Sequence, residues 1–179
     1  MIDPKVNLET DSFFLIQIKE SHFKEIYAVA NNPVIWKQHP EKNRWKEEVF
    51  LIFFQNAMQN ELGCFGIFDK DSNKFIGSTR FYSSSKEGNS VRIGYTFLSP
   101  EYWGTSANEE IKKVMLNYAF QFVDKVFFDV AEKNKRSRKA IEKLGAILSD
   151  KRKDKVTYQI DKNQYMHEIK LYKTPKMDY

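Results

Sequence analysis

Between Val91 and Phe122 the apolar residues change their spacing from every second residue to every third or fourth, and no other feature limits the fold so tightly. Val91, Ile93, Tyr95 and Phe97 alternate with Arg92, Gly94 and Thr96, which predicts a half-buried strand carrying the first four on one face and closed by Ser99-Pro100. Ile111, Val114, Met115, Tyr118, Ala119 and Phe122 then fit one face of a helix. Between them lies a turn of mostly small and polar residues, Trp103-Gly104-Thr105-Ser106-Ala107-Asn108. A strand that feeds a helix through so short a turn leaves one apolar side of each to cover, and a layered α/β domain covers both.

The rest of the chain supplies the other elements. Phe14, Ile16 and Ile18 alternate with Gln17 and Lys19 and predict a strand over 13–19. Phe23, Ile26, Tyr27 and Ala30 form a helical face that ends near Asn31-Asn32-Pro33. Residues 36–44 read as a loop, and Val49, Ile52, Phe53, Ala57 and Met58 supply the apolar stripe of a helix over 45–60. Turn formers at 69–73 join strands at 64–68 and 74–81 into a hairpin, and a polar loop is expected at 83–89. A strand at 126–130 precedes a short helix at 135–144 that Gly145 terminates, with Ala140, Ile141 and Leu144 on one side. Further strands are expected at 146–148, 156–160 and 166–172. The order β-α-α-β-β-β-α-β-α-β-β describes one mixed α/β domain over residues 1–179, its core at about 13–172, with only 1–8 and 174–179 dispensable.

Composition excludes several roles. The 29 basic and 24 acidic residues are interspersed, so the net charge of +5 makes no basic block and implies no nucleic acid. Cys64 is the one cysteine, which rules out an internal disulfide, suits a reducing cytoplasm, and reads as strand core rather than nucleophile. No C-x-x-C or His-rich spacing suggests a metal, and no apolar run or basic-then-apolar start suggests a membrane or export signal.

Two segments carry chemistry. The turn at 103–108 presents unpaired backbone N–H groups and the positive end of a helix dipole, which suits phosphate; its alternative is an ordinary turn capped by Thr105 or Ser106. Its one glycine makes it neither a Walker loop nor a dinucleotide fingerprint. About 25 residues further on, Asn134-x-x-Ser137-Arg138-x-Ala140-Ile141-x-x-Leu144-Gly145-Ala146 opens a helix with cap residues and clustered cations, which alone reads as capping plus a solvated basic face.

Taken together, 93–109 and 134–146 resemble the two cofactor motifs of the GNAT acetyltransferase superfamily, in particular its ribosomal-protein N-terminal (alanine/serine) acetyltransferase branch. The resemblance covers about residues 13–171 and implies the GNAT fold, a mostly antiparallel sheet of six to seven strands flanked by about four helices. It implies acetyl-CoA as co-substrate. The backbone of Phe97 and Leu98 would meet the pantetheine arm, Gly104, Thr105, Ser106, Ala107 and Asn108 would hold the pyrophosphate, and Trp103 would be a further cofactor contact. Asn134 would bond the arm, Ser137 would lie near the sulfur, and Arg138 would be either a phosphate contact or a surface residue. Trp36, His39 and Tyr95 would line the acceptor pocket, His39 being also the candidate base.

Two positions depart from the family pattern. Ser106 stands where a second glycine is usual, and Ile141, seven residues after Asn134, stands where many members have a proton-donating tyrosine. Ser137 is then the candidate catalytic group. The resulting expectation is direct attack of an amine, from a protein N-terminus such as a ribosomal one or from a small molecule, in a ternary complex of a monomer or homodimer. Two other classes fit less: an acyl-CoA-binding module without turnover, motivated by Ser106 and Ile141, and a basic-surface protein contacting RNA or ribosomes.

Overall fold

The structure, a computed structural model, describes residues 2–87 and 89–173, and of the last six of these the backbone alone. The chain runs β1 (Leu8–Glu9), β2 (Phe13–Gln17), α1 (Phe23–Ala30), α2 (Pro33–Trp36), α3 (Glu47–Met58), β3 (Cys64–Asp69), β4 (Lys74–Ser85) and β5 (Ser90–Leu98). It continues through α4 (Ala107–Ala119), β6 (Lys125–Ala131), α5 (Lys135–Glu142), β7 (Ile147–Arg152), β8 (Lys155–Asp161) and α6 (Lys162–Lys173). Among the described residues the strands form one sheet in the order β1-β2-β3-β4-β5-β6-β8-β7. No helix among them is long and apolar enough to cross a membrane.

Every neighbouring pair is antiparallel except β5 and β6, which are parallel and joined by α4. That pairing covers only Ser90↔Lys125, Val91↔Val126 and Arg92↔Phe127. Beyond it β5 keeps its bonds to β4 and β6 keeps its bonds to β8, so the two strands diverge and a cleft opens in mid-sheet.

A bulge shapes one wall of that cleft. The register of β4 on β5 shifts between Ser78↔Phe97 and Arg80↔Gly94, which inserts one extra residue into β5, and Tyr95 takes the left-handed conformation, φ +53. The extra residue reverses which side chains face which way. Val91 and Ile93 pack into the core under α4, whereas Phe97 packs into a second core with Ile26, Trp36, Phe50 and Phe54. The alternation at 91–97 therefore does not put its four apolar residues on one face, as the sequence pattern predicts; the period of two is broken at Tyr95.

The same reversal turns Thr96 toward α4, where it meets Lys112. This lysine is 4% exposed, and its ammonium donates to Thr79 Oγ1 at 2.9 Å and Thr96 Oγ1 at 2.6 Å. The two hydroxyls lie 2.7 Å apart. Burial lowers the Lys112 pKa to about 7. On α4 the buried set is Ala107, Ile111, Lys112, Met115, Leu116 and Ala119; Val114 and Tyr118 are half-buried and Phe122 lies beyond the helix end.

Other expectations change for local reasons. The buried stripe of α3 is Phe50, Phe53, Phe54 and Ala57, while Ile52 is 62% exposed, because the aromatic rings claim the inward side. Trp36 closes the one-turn helix α2, which Asn32 caps ahead of Pro33, rather than opening a loop. β4 runs into the expected polar loop as far as Ser85. Residues 166–172 are helical, not a strand: Tyr165 anchors α6 against Phe120, ring centroids 5.2 Å apart, and Ile169 and Tyr172 follow it at helical spacing. Residues 2–8 are built into the domain rather than trailing from it, since Ile2 and Leu8 are core and β1 pairs with β2. Residues 174–179 lie outside the described residues.

Lys112 gives the stability a predictable pH dependence. A lysine in the unfolded chain keeps its proton to about pH 10, whereas Lys112 in the folded protein keeps its proton to about 7. Between those values the unfolded chain binds more proton, so stability rises with pH, and below about 7 the folded state carries the full burial penalty. Lys112→Met, which leaves Thr79 and Thr96 bonded to each other, is expected to melt above the wild type at pH 6 by an amount of order a few kcal/mol. The gap should close as the pH approaches 10; thermal melts across that range check both sign and window.

Candidate active site

The floor of the cleft is the start of α4. Gly104 has φ +80, and a Cβ added there would project into open space. Thr105 Oγ1 donates to the Tyr102 carbonyl at 2.8 Å and accepts from the Ala107 amide at 3.2 Å, fixing the turn. Ser106, in the N-cap position, makes no side-chain cap bond, and its φ −72 and ψ −10 are ordinary helical values that require no glycine. Both acids of the first turn are engaged: Glu110 accepts from the Ser12 amide and hydroxyl, and Glu109 pairs with Lys113 at 2.6 Å. Thr105 thus caps the Ala107 amide, and the exposed turn at 104–106 with the helix start that follows it fits a pyrophosphate.

On the β5 side, the Phe97 carbonyl faces β4, where Gly77 gives it room, and the Leu98 carbonyl accepts from Trp103 Nε1 at 3.0 Å. Opposite stands α5. Asn134 caps it, its Oδ1 accepting from the Ser137 amide at 3.1 Å. The Asn134 amide group and the Ser137 hydroxyl make no further hydrogen bond among the described residues and are half-buried. Arg138 is engaged elsewhere, its Nε donating to the Tyr158 hydroxyl at 2.9 Å beside Glu142. Ile141 is buried core. Arg136 spans the two walls: its guanidinium lies 3.6 Å from the centre of the Trp103 ring and donates to the Ile35 carbonyl at 3.4 Å.

Trp36, His39 and Tyr95 gather around Phe53, at 6.4 Å from Trp36 and 6.2 Å from Tyr95, with His39 edge-on to Trp36 at 5.6 Å. Trp36 is 2% exposed and donates Nε1–H to the Ala30 carbonyl, so its ring lies beneath this cluster rather than at its surface. Tyr95 is 44% exposed. His39 faces a donor on each nitrogen, the Glu41 amide at Nδ1 and Arg44 Nη1 at Nε2. Burial, reinforced by Arg44, lowers its pKa to about 4, which makes it a weak base at neutral pH.

Two residues that the sequence reading passes over complete this pocket. Arg44 lies over Phe53 and Trp36, and Arg80 lies 3.6 Å above Tyr95. Neither had a signal: Arg80 follows Ser78 and Thr79 in a strand of mixed polarity, and Arg44 stands in a polar loop. Beyond them Tyr82 donates to Asp129, which also pairs with Arg92 and Lys155. Although burial works against it, bonds from Lys155 and Thr157 and the charge of Arg92 hold the Asp129 carboxyl below the usual range. Cys64 pairs with Arg80 across β3 and β4, but its thiol is buried, donates to the Thr79 carbonyl, and is pushed up to about 12 by burial.

The acetyltransferase (GNAT) domain family matches residues 13–147. The uncharacterized N-acetyltransferase YoaA of Bacillus subtilis is 24% identical over 144 residues, 77% of this chain and 81% of that protein. A GCN5-related N-acetyltransferase from Brucella melitensis superposes with a TM-score of 0.84 at 15% identity, covering 98% of this chain and 89% of that one. A spermidine N-acetyltransferase from Vibrio cholerae, solved with CoA and spermine, gives 0.68 at 15% identity over 88% of this chain and 99% of that one. A ribosomal-protein-S5-alanine acetyltransferase from Vibrio fischeri gives 0.67 at 17% identity, over 89% and 98%. At these identities the structural likenesses establish the fold.

The cap geometry separates two roles of Asn134. Asn134→Ala removes the Oδ1 acceptor and is expected to lower stability by about 1 kcal/mol, a fall of about 2–4 °C in melting temperature for a chain of this size. Asn134→Asp keeps the acceptor and should melt with the wild type, so any ligand affinity it loses reports the exchange of the amide donor for a carboxylate rather than a loosened helix.

Proposed function

This chain belongs to the GNAT acetyltransferase family, and on that premise we propose that it transfers acetyl from acetyl-CoA to a primary amine by direct attack in a ternary complex. The observation that carries the reading is the cleft: β5 and β6 separate after Arg92 and Phe127, with the exposed start of α4, where Ser106 makes no cap bond, at its floor and Asn134 and Ser137 on its far wall. Acetyl-CoA supplies an activated acyl group on a leaving thiol. The residues of this chain hold and orient it. Gly104 through Asn108 would bind the pyrophosphate, Trp103 with Arg136 would flank the arm, the backbone at Phe97 and Leu98 would align it, and the Asn134 amide would donate to it.

Ser137 is the group proposed to face the departing sulfur, because its hydroxyl is uncommitted while Ile141 can donate nothing. Arg138, tied to Tyr158 and Glu142, is better placed to brace α5 than to reach a phosphate. No covalent enzyme intermediate is needed, and the buried Cys64 thiol is unsuited to form one. The acceptor is a protein N-terminus or a small-molecule amine. The ribosomal-protein branch rests on the motif resemblance, and the relatives' names point to more than one acceptor.

Titration calorimetry with acetyl-CoA and free-thiol release with a panel of amines test the proposal together. Micromolar binding and amine-dependent thiol release are expected. Ser137→Ala should lower kcat about tenfold or more with the acetyl-CoA Kd unchanged. Ser106→Gly should leave the Kd within about threefold, because Ser106 already has a relaxed backbone. No binding up to about millimolar acetyl-CoA would overturn the reading, and binding without turnover on any amine would leave an acyl-CoA-binding module.

A further inference from the structure

Arg80 and Arg44 form a pair of cations without a counter-ion beside the proposed acceptor pocket. Arg80 is 6% exposed, its guanidinium 3.6 Å from the Tyr95 ring centre and 5.5 Å from that of Phe53. Arg44 approaches the same Phe53 ring at 4.5 Å and that of Trp36 at 5.2 Å. Neither joins an ion pair among the described residues. The Nε of each is wholly buried and lacks a hydrogen-bond partner. Glu41, the acid nearest Arg44 in effect, is exposed, and its carboxylate accepts from the Asn43 amide.

Arg92, the last residue of β5 paired with β6, has a counter-ion in Asp129 at 2.8 Å, and Arg136 in the cleft, though in no ion pair, donates to the Ile35 carbonyl. Among the described residues Arg80 is held only by aromatic faces and Arg44 by aromatic faces and one bond to His39 Nε2 at 3.2 Å; neither has a counter-charge to offset its desolvation, and two cations sharing one ring also repel each other. An oxyanion bound between them removes both penalties at once, and the planar forks of arginine match a carboxylate or phosphate. A polyamine entering the same pocket would be repelled.

We propose that Arg80 and Arg44 receive an oxyanion of the acceptor, so that the amine acetylated by this protein belongs to a molecule that also carries a carboxylate or a phosphate. The inference rests on the acetyl-transfer reading and deepens it by naming the acceptor class. The geometry places the anion against Arg80 on the α3 side of β5, where Tyr95 is the exposed residue of the bulge.

Two arms test it. In the first, kcat/KM by thiol release is compared for matched amines: β-alanine against β-alaninamide, phosphoethanolamine against ethanolamine, and spermidine as a polycation. The anionic member of each pair is expected to be preferred about tenfold or more, and the preference should fall toward parity in Arg80→Gln and in Arg44→Gln. The carboxylate and phosphate pairs tell which oxyanion fits. In the second, acetate and inorganic phosphate are added to the CoA-saturated protein, so that the pyrophosphate site is filled, and its melting temperature is followed. A rise in the wild type that is absent from the variants supports the site even if no amine turns over, in which case the acetyl-transfer reading fails and the oxyanion site stands. Turnover of neutral or cationic amines at least as fast, with ratios unmoved by the variants and no anion-dependent rise, overturns the proposal and leaves acetyl transfer intact. No turnover and no rise overturns both. Should Arg80→Gln not fold, Arg44→Gln, on a surface loop, carries the same comparison.

Discussion

One extra residue in β5 organises the functional half of this molecule. Without the bulge at Tyr95, a regular strand would send Ile93, Tyr95 and Phe97 to the same face, and the core under α4 would have to hold all three. With it, Phe97 leaves that core for the aromatic cluster around Phe50 and Phe53, Thr96 turns inward to Lys112, and Tyr95 stands outward beneath Arg80. A tyrosine at φ +53 is a strained arrangement worth of order 1 kcal/mol or more. Contacts on both sides of the sheet hold it there. Gly94 contributes by having no side chain, since a Cβ at that position would meet the Tyr82 ring at 2.8 Å, and Tyr82 packs edge-on against Tyr95.

The bulge and the strand divergence belong to one geometry. A bulged strand bends and twists more than its neighbours, so β5 leaves β6 just ahead of the point where the extra residue sits. The cleft that results exposes backbone at the edge of β5 in the middle of a sheet, a place where unpaired polar groups are costly unless something satisfies them. Part of the answer is internal, as Trp103 Nε1 takes the Leu98 carbonyl. The remainder is what a thioester arm with amide groups can use. The family motif and the sheet topology thus describe the same feature from two ends.

Much of this was legible in the sequence, and the exceptions have physical causes. The strand-to-helix switch at 91–122 and the cap at Asn134 are local signals, set by residues close in sequence, and the structure has both. Tyr95 defeated the pattern because a bulge is set by what lies across the strand, here Gly77 and Thr79, rather than by its own alternation. α6 was read as a strand because short apolar runs fit either period, and what fixed it was Tyr165 packing on Phe120. The cations were hidden for another reason. Lysines and arginines are expected in water, so Lys112 on an amphipathic helix and Arg80 in a strand carry no sign that their neighbours will bury them.

Those cations also bear on the proton that an incoming ammonium must lose before it can attack. His39 is a poor acceptor, held near pKa 4 by burial and by Arg44, and no other imidazole stands in the pocket. A general base is less necessary where the local field is positive, because nearby cations favour the neutral amine over the ammonium and favour a departing thiolate over the thiol. On the proposed reading, two guanidinium groups face one acceptor oxyanion. That leaves an excess of positive charge beside the amine when the oxyanion is a singly charged carboxylate, and none when it is a fully ionised phosphate. The two demands on the pocket therefore pull apart: a dianionic phosphate is held more strongly by the pair of guanidinium groups, whereas a carboxylate leaves in place the field that releases the proton.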